Sequence, residues 1–203
     1  MNKDILTFSF KGNRTYVHGT DICAALNDYI AVHIGINDVR NFDVFFHKII
    51  HKNLKLEVVK NTDVIEKEQA AATATFMKND ERYVLLLSES DPEITRRTEY
   101  PEELITNACN VYAERKSIAL AEPLDFTVFE ILIPMTKALH QTLFPDVKGK
   151  WFFTRLQTAR LLATREPYKM ITIKHLNNFK YKLTKNEITI NDKTVGNIFF
   201  SLV

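Results

Sequence analysis

The sequence contains little glycine, proline or cysteine, and it lacks a long apolar run. Five Gly and six Pro among 203 residues leave few breaking points, so we expect long elements and few loops. A secreted disulfide framework would need more than the two cysteines present, and no CxxC spacing points to a metal site. Because no stretch of about 18 uninterrupted apolar residues occurs, we expect no membrane-spanning helix.

The cysteines and the N-terminus bear on the cellular compartment. Cys23 and Cys109 lie among apolar or helix-forming residues, which favours buried free thiols in a reducing environment. The stretch Met1–Asp4 lacks the apolar core of a signal peptide. The sequence therefore predicts a soluble, cytoplasmic protein.

Charge is nearly balanced, whereas apolar residues are plentiful. Hydrophobic residues make up 45% of the chain, enough for a buried core, and the formal net charge is +2. The most basic stretch, Lys48–Lys60, alternates lysines with Ile, Leu and Val, as expected of a solvated strand face. Nucleic-acid binding is not expected, because it usually requires a concentrated basic face.

The chain runs twice through the same order of elements, an apolar helix and then long β-rich stretches. The first helix is expected near Thr20–Ile30 and the second near Asp125–Leu143, with Asp125 as the N-cap. The expected strands of the first pass are Phe42–Val59, Ala70–Lys78 and Arg82–Ser88. Those of the second pass are Trp151–Leu162, Lys169–Leu183 and Glu187–Val203. This repetition predicts two halves, 1–95 and 96–203.

The connections follow from turn chemistry. Polar Asn61–Gln69 is expected to be a loop or short edge, and Lys78–Glu81 is typical of a hairpin turn. Asn191–Lys193 predicts another turn. Charged, proline-containing Asp91–Pro101 is the best candidate linker, and Glu102–Ala113 is expected to contain a short helix.

Both helices are apolar on most faces, so each should be enclosed by other structure. Strands that follow one another through short turns should pair antiparallel. An α+β fold, with each helix wrapped by a curved antiparallel sheet, satisfies both expectations; a generic α+β domain is the alternative. This element order resembles the hot-dog fold, and two copies in one chain would form a double hot-dog.

Two residues are candidates for chemistry. Glu130 interrupts the apolar second helix, where a carboxylate must be paired or neutral, and a proton-transfer role would use this environment. The alternative is a narrow polar stripe with Lys137 or a pairing with an arginine. His18 lies between a strand and the first helix, just before Gly19 and the unpaired N–H groups of the helix start. The alternative for His18 is a loop histidine bonded to nearby backbone.

Together these residues resemble the site of hot-dog 3-hydroxyacyl-thioester dehydratases. In that family, a histidine before one central helix works with an acidic residue on the other, commonly after a proline. Tyr16-Val17-His18-Gly19 and Pro123-Leu-Asp-Phe-Thr-Val-Phe-Glu130 match this arrangement. The resemblance implies that His18 removes the α-proton and Glu130 protonates the leaving hydroxyl. It also implies that Gly19, Thr20, Asp21 and Phe126 contact the substrate.

The same scaffold leaves other functions open. The acidic residue could activate water in a thioesterase, and an acyl-binding module or an assembly protein could keep the apolar interior without catalysis. The implied partner is an acyl-coenzyme A or acyl carrier protein thioester. A homodimer is also possible, and no cofactor is expected.

Further histidines and arginines carry weaker signals. His47 and His51 could be neighbours, with His33 nearby, but such pairs are more often exposed packing than metal ligands, so no metal is expected. Arg155 and Arg160 could contact the phosphate of a pantetheine carrier. His140 and His175 are expected on the surface.

Overall fold

The computed structural model describes residues 4–60, 70–180 and 182–203. The predicted loop or edge at Asn61–Gln69 lies outside the described residues. No helix within these ranges is long and apolar enough to cross a membrane.

The chain divides into two compact units. One comprises Met1–Tyr100 and Thr158–Leu161, and the other comprises Pro101–Gln157 and Leu162–Val203. Each unit contains helix and antiparallel sheet, in agreement with the predicted α+β class.

Among its described residues, the first unit contains an antiparallel sheet, a short parallel pair and one α-helix. Its elements are β1 (Asp4–Leu6), β2 (Phe10–Lys11), α1 (Gly19–Tyr29), β3 (Arg40–Phe46), β4 (Asn53–Lys60), β5 (Ala72–Lys78), β6 (Glu81–Ser90) and β7 (Arg97–Thr98). A π-helical turn, Ile30–Ile34, continues α1. The sheet order is β1-β4-β6-β5-β3 with antiparallel neighbours, and β2 pairs with β7 in parallel.

Apolar and polar side chains alternate along strands of this sheet, so that one face of the sheet is buried. Leu54 and Leu56 of β4, for example, are fully buried, whereas Lys55 between them is only half-buried. The predicted hairpin joins β5 to β6, and Asn79 and Asp80 adopt φ values of 49° and 61° there. Asn and Asp tolerate this left-handed region better than most residues, so the turn has suitable chemistry.

The second unit contains two α-helices and a second antiparallel arrangement. Its elements are α2 (Glu102–Asn107), β8 (Asn110–Tyr112), β9 (Ser117–Leu120), α3 (Val128–Leu143), β10 (Trp151–Arg160), β11 (Ile171–Phe179), β12 (Leu183–Ile190) and β13 (Lys193–Leu202). The strand order is β10-β13-β12-β11-β9-β8. The last residues of β10, from Thr158 onward, group with the first unit.

Helix α3 packs against the buried face of this sheet, on β9 and β11. The registers Ile171↔Ile190 and Ile173↔Ile188 place buried isoleucines opposite one another. Continuing the same alternation, the register pairs His175 with Asn186, and both side chains are buried. The apolar face therefore carries two polar side chains at one end.

Several sequence expectations need correction. The stretch Phe42–Val59 is not one strand but contributes to β3 and β4, which a connection separates. The predicted linker Asp91–Pro101 includes β7, because its backbone pairs with β2. The short helix expected within Glu102–Ala113 is confirmed, and it spans Glu102–Asn107. Cys23 is buried as predicted, whereas Cys109 is half-buried, and burial raises the pKa of its thiol to about 11.

Candidate functional site

His18 is the N-cap residue of α1 and is only 3% exposed. Its backbone is extended, with φ −74° and ψ 135°, which directs its carbonyl into the first turn. That carbonyl accepts hydrogen bonds from the amides of Asp21, at 3.0 Å, and Ile22. The preceding Val17 N–H donates to the Ile50 carbonyl at 2.7 Å. These bonds fix the backbone on both sides of His18 and place its side chain at the start of the helix.

The imidazole belongs to a buried polar network of Lys11, His18, Thr20 and Asp21, here called the Lys11 network. His18 Nδ1 lies 2.9 Å from Thr20 Oγ1. Lys11 Nζ donates to Thr20 Oγ1 at 3.2 Å and forms an ion pair with Asp21 Oδ1 at 2.7 Å. Thr20 Oγ1 donates to the same Asp21 oxygen at 3.4 Å. A buried ammonium requires such a partner, since desolvating an unpaired charge is costly.

Tyr100 covers one side of the network. Its ring centroid is 5.4 Å from that of His18, and Lys11 Nζ lies 4.6 Å from it. The pairing of β2 with β7 explains this approach, because it brings the chain leading to Tyr100 alongside Lys11. The ring is itself buried, so it lowers the local dielectric and strengthens the ion pair.

The structure brings together three of the predicted site residues. His18, Thr20 and Asp21 share the Lys11 network, and Gly19 is the first residue of α1. N–H groups of a first helical turn lack intrahelical acceptors, so they can stabilise a carbonyl oxygen that gains negative charge. The predicted substrate contacts of Gly19, Thr20 and Asp21 stay predictions.

Glu130 lies in the second unit, in the first turn of α3. The N-cap of α3 is Thr127, so the prediction that Asp125 caps this helix is wrong. Glu130 N–H donates to Thr127 Oγ1 at 3.2 Å, while Glu130 Oε2 accepts from Thr127 N and Oγ1, each at 2.9 Å. The spacing Thr-x-x-Glu satisfies both donors reciprocally. Asp125 instead pairs with Arg165 at the surface.

This capping box accounts for a carboxylate in an apolar helix. Glu130 is half-buried, between buried Phe129 and Ile131, and the N-cap residue of its own helix bonds to its carboxylate. The position at the helix N-terminus also favours negative charge. Phe126 is half-buried in the turn before α3, where its N–H donates to the Leu124 carbonyl. The catalytic role of Glu130 and the substrate contact of Phe126 stay predictions.

Replacing Thr127 with valine should lower the free energy of unfolding by about 1 kcal/mol, because the helix loses its N-cap acceptor. Urea unfolding of the variant measures this change. Thr142→Val is the matched control, since Thr142 is exposed near the other end of α3, and it should change stability by less than about 0.5 kcal/mol. Equal effects of the two substitutions would contradict a capping role.

His140, His175 and Asn186 form a buried polar cluster that was not among the sequence predictions. The prediction that both histidines lie on the surface is wrong, because they are 0% and 7% exposed. Asn186 Oδ1 lies 3.1 Å from His140 Nε2 and 3.0 Å from His175 Nδ1. Asn186 Nδ2 donates to the Ile198 carbonyl at 3.2 Å. That bond orients the amide so that its oxygen accepts from both imidazoles.

Aromatic rings surround His140. The centroids of Trp151 and Phe200 lie 4.5 Å and 5.5 Å from its ring. Its Nδ1 has no hydrogen-bond partner among residues 4–60, 70–180 and 182–203. Burial lowers the pKa of His140 to about 4. Repulsion from His175 lowers this pKa further, whereas the hydrogen bond to Asn186 raises it in part. Burial also lowers the pKa of His175. Both imidazoles are therefore neutral at pH 7.

The remaining candidates have separate partners. His47 Nε2 lies 3.1 Å from Thr73 Oγ1, His51 Nδ1 lies 2.8 Å from the Thr15 carbonyl, and His33 packs on a tyrosine ring. No group of three or more His, Cys, Asp or Glu within the described part of the chain could hold a metal ion.

The two arginines considered for phosphate binding also contact their own unit. Arg155 lies over the ring of Phe199, at 5.6 Å. Arg160 is exposed, and it donates to the neighbouring Leu161 carbonyl. Their contact with a carrier phosphate stays a prediction.

No protein-family model matches the chain, and the search of curated proteins found no similar sequence. Solved structures do match. The dehydratase domain of PpsC from Mycobacterium tuberculosis, in complex with C12:1-CoA, has 6% identity and a TM-score of 0.50, over 99% of this chain and 92% of that one. A proposed thioesterase from Novosphingobium aromaticivorans has 11% identity and a TM-score of 0.49, over 99% and 94%.

These identities are too low to transfer a function. The comparison of folds is therefore based on the PpsC domain, for which the TM-score reaches 0.50. The match extends over nearly all of both chains, in agreement with the α+β elements described above. The chain therefore has the hot-dog fold.

Proposed function

We propose that this chain acts on acyl thioesters, with His18 as a general base. The observation that supports this most directly is the placement of the His18 imidazole. It is buried at the N-cap of α1, beside a helix start and an internal ion pair, rather than on a solvated loop. Histidine suits proton abstraction near neutral pH, and the helix start suits an oxyanion.

The proposed architecture is a double hot-dog with halves 1–95 and 96–203. Two features support it, namely the presence of a helix and an antiparallel sheet in each compact unit and the fold match to the PpsC domain. That domain is complexed with an acyl-coenzyme A, which makes an acyl-coenzyme A or acyl carrier protein thioester the proposed substrate class here.

In the dehydration reaction, His18 Nε2 takes the α-proton of a 3-hydroxyacyl thioester. The Gly19 N–H stabilises the thioester oxygen, and Glu130 in its acid form gives a proton to the leaving hydroxyl. The products are water and an enoyl thioester.

Thioester hydrolysis is the second candidate, and the capping box favours it. Two hydrogen bonds to Oε2 and the helix N-terminus both stabilise the ionised carboxylate of Glu130. A carboxylate suits the activation of water better than the donation of a proton. The two reactions differ in product, since hydrolysis releases a free thiol and dehydration does not.

The test is incubation with 3-hydroxyacyl- and acyl-coenzyme A of several chain lengths, with enoyl formation and thiol release measured separately. We expect His18→Ala and Glu130→Gln each to lower turnover about 100-fold. Glutamine can keep the capping box, so Glu130→Gln removes the ionisable group without unfolding α3. His51→Ala is the control, since His51 is exposed and bonds to backbone.

Turnover that neither substitution changes would contradict the assignment of both residues. Binding of the thioester without any turnover would contradict an enzyme and favour an acyl-binding module. Neither binding nor turnover would leave the assembly alternative.

A further inference from the structure

We propose that Thr20, Asp21 and Lys11 set the tautomer of His18, with the proton on Nδ1 and the lone pair on Nε2. The tautomer itself follows from hydrogen-bond geometry, whereas its importance for catalysis rests on the proposed function. Thr20 is here a positioning residue that touches His18 directly, and Asp21 and Lys11 act through it.

The hydroxyl of Thr20 has one proton and two lone pairs to share among three partners. Lys11 Nζ, at 3.2 Å, can only donate, and ionised Asp21, at 3.4 Å, can only accept. His18 Nδ1, at 2.9 Å, can do either. If the hydroxyl donates to Asp21, both lone pairs remain, and they accept from Lys11 and His18. His18 Nδ1 must then carry a proton.

The opposite arrangement is electrostatically worse. If the hydroxyl donated to His18 Nδ1, an oxygen lone pair of Thr20 would face the carboxylate of Asp21 with no proton between them. A carboxylate is also a stronger acceptor than a neutral imidazole, because hydrogen bonds to charged groups are stronger. Little reorientation can relieve this conflict, because Thr20 and the Lys11 side chain are 1% and 7% exposed.

This tautomer would have a direct consequence for proton abstraction. Nε2 holds the lone pair that would take the α-proton, and the electron pair of the broken C–H bond passes into the thioester enolate. In the imidazolium that forms, the Nδ1–H still donates to the Thr20 hydroxyl, and that hydroxyl donates its own proton to Asp21. The negative charge of Asp21 therefore stabilises the charged imidazolium through one hydroxyl.

The inference predicts a spectroscopic signature in the full-length protein. With ¹⁵N-histidine, long-range ¹H–¹⁵N spectra at about pH 9, well above the ordinary histidine pKa of about 6.5, distinguish the protonated ring nitrogen from the one with the lone pair. We expect the Nδ1–H pattern for His18, assigned by its loss in His18→Gln. His51 is an internal standard, because its Nδ1 faces a backbone carbonyl that can only accept.

Substitutions at Thr20 and Asp21 test whether hydrogen bonds, and not side-chain packing, set the tautomer of His18. Thr20→Val keeps the side-chain shape and should shift His18 toward the Nε2–H tautomer, whereas Thr20→Ser should restore the wild-type pattern. Asp21→Ala should produce the same shift, because the Thr20 proton then turns to His18. Asp21 is more exposed than Thr20, with 26% of its side chain accessible. Asp21→Ala therefore still tests the network if Thr20→Val does not fold.

An Nε2–H pattern for His18 in the wild-type protein would overturn the inference. A spectrum that Thr20→Val and Asp21→Ala leave unchanged would also overturn the role of the network. The Nδ1–H pattern combined with no turnover of any thioester would instead contradict the proposed function and support the inference. If turnover is found, Thr20→Val should lower kcat more than it changes KM and should alter the pH profile, and Thr20→Ser should reverse both effects.

Discussion

Replacing Asn186 with alanine should lower the free energy of unfolding by about 4 kcal/mol, the largest effect that we expect from a polar substitution in this chain. Asn186 is fully buried and lies directly opposite His175 on the neighbouring strand. Its side-chain oxygen accepts from both imidazoles of the cluster. The alanine variant would leave two buried N–H donors without an acceptor.

The size of this effect combines two costs. An unsatisfied buried donor costs about 1–3 kcal/mol, and there would be two of them. The space left by the amide adds a packing cost, because surrounding rings can collapse only in part. Loss of the donors to the Ile198 carbonyl and Thr184 hydroxyl adds further unpaired groups.

Denaturant unfolding, monitored by fluorescence of Trp151, measures the change directly. Asn110→Ala is the matched control, since Asn110 is an exposed asparagine on β8, and it should change stability by less than about 0.5 kcal/mol. A loss below about 1 kcal/mol for Asn186→Ala would contradict the picture of one oxygen serving two buried imidazoles.

Local patterns in the sequence were sufficient to predict much of the secondary structure. The apolar spacing within Thr20–Ile30 indicated α1, and Asn-Asp dipeptides indicated the two hairpin turns. The split between β3 and β4 was missed, because the connection between them, residues 47–52, also contains two isoleucines. The pairing of β2 with β7 joins segments that are distant in the sequence, so no local sequence pattern predicts it.

The environment of His18 was predictable only in part. The sequence placed it at a helix start, and the structure agrees. Lys11 could not be predicted as a partner of Asp21, because the contact depends on how the chain turns between β2 and α1. Glu130 carried a local signal that was overlooked, since Thr127-x-x-Glu130 is itself a capping-box pattern.

The buried histidines also had overlooked signals. His175 continues the alternation of Ile171 and Ile173, which places it on the buried face of β11. His140 follows Thr136 by one helical turn, on the buried side of α3. Both were expected at the surface because histidine is polar, but period and spacing decide which side of an element faces the core.

Burial of these histidines should make the protein sensitive to mild acid. The pKa of His140 is about 4 in the folded chain, compared with 6.5 for an ordinary histidine. Between these values the unfolded chain binds a proton that the folded chain does not. Stability should therefore fall as the pH decreases from about 6.5 to about 4, by about 3 kcal/mol from His140 alone. Below that range the folded chain also binds the proton, and this loss stops.

His140→Phe isolates this contribution from that of other titrating groups. Phenylalanine retains an aromatic ring beside Trp151 and Phe200, and Asn186 keeps its hydrogen bond from His175. Urea unfolding at a series of pH values should show that the variant loses about 3 kcal/mol less than the wild type between neutral pH and pH 4. His33→Phe, at an exposed position, should leave the slope unchanged.

Parallel pH profiles for His140→Phe and the wild type would contradict a neutral, buried His140. His175 should still contribute in the same direction, because burial also lowers its pKa and the nearby charge of Lys116 lowers it further. A residual slope in His140→Phe is therefore expected, and replacing His175 as well should reduce it further. This dependence on both residues would show that the two buried histidines contribute to the loss of stability in mild acid.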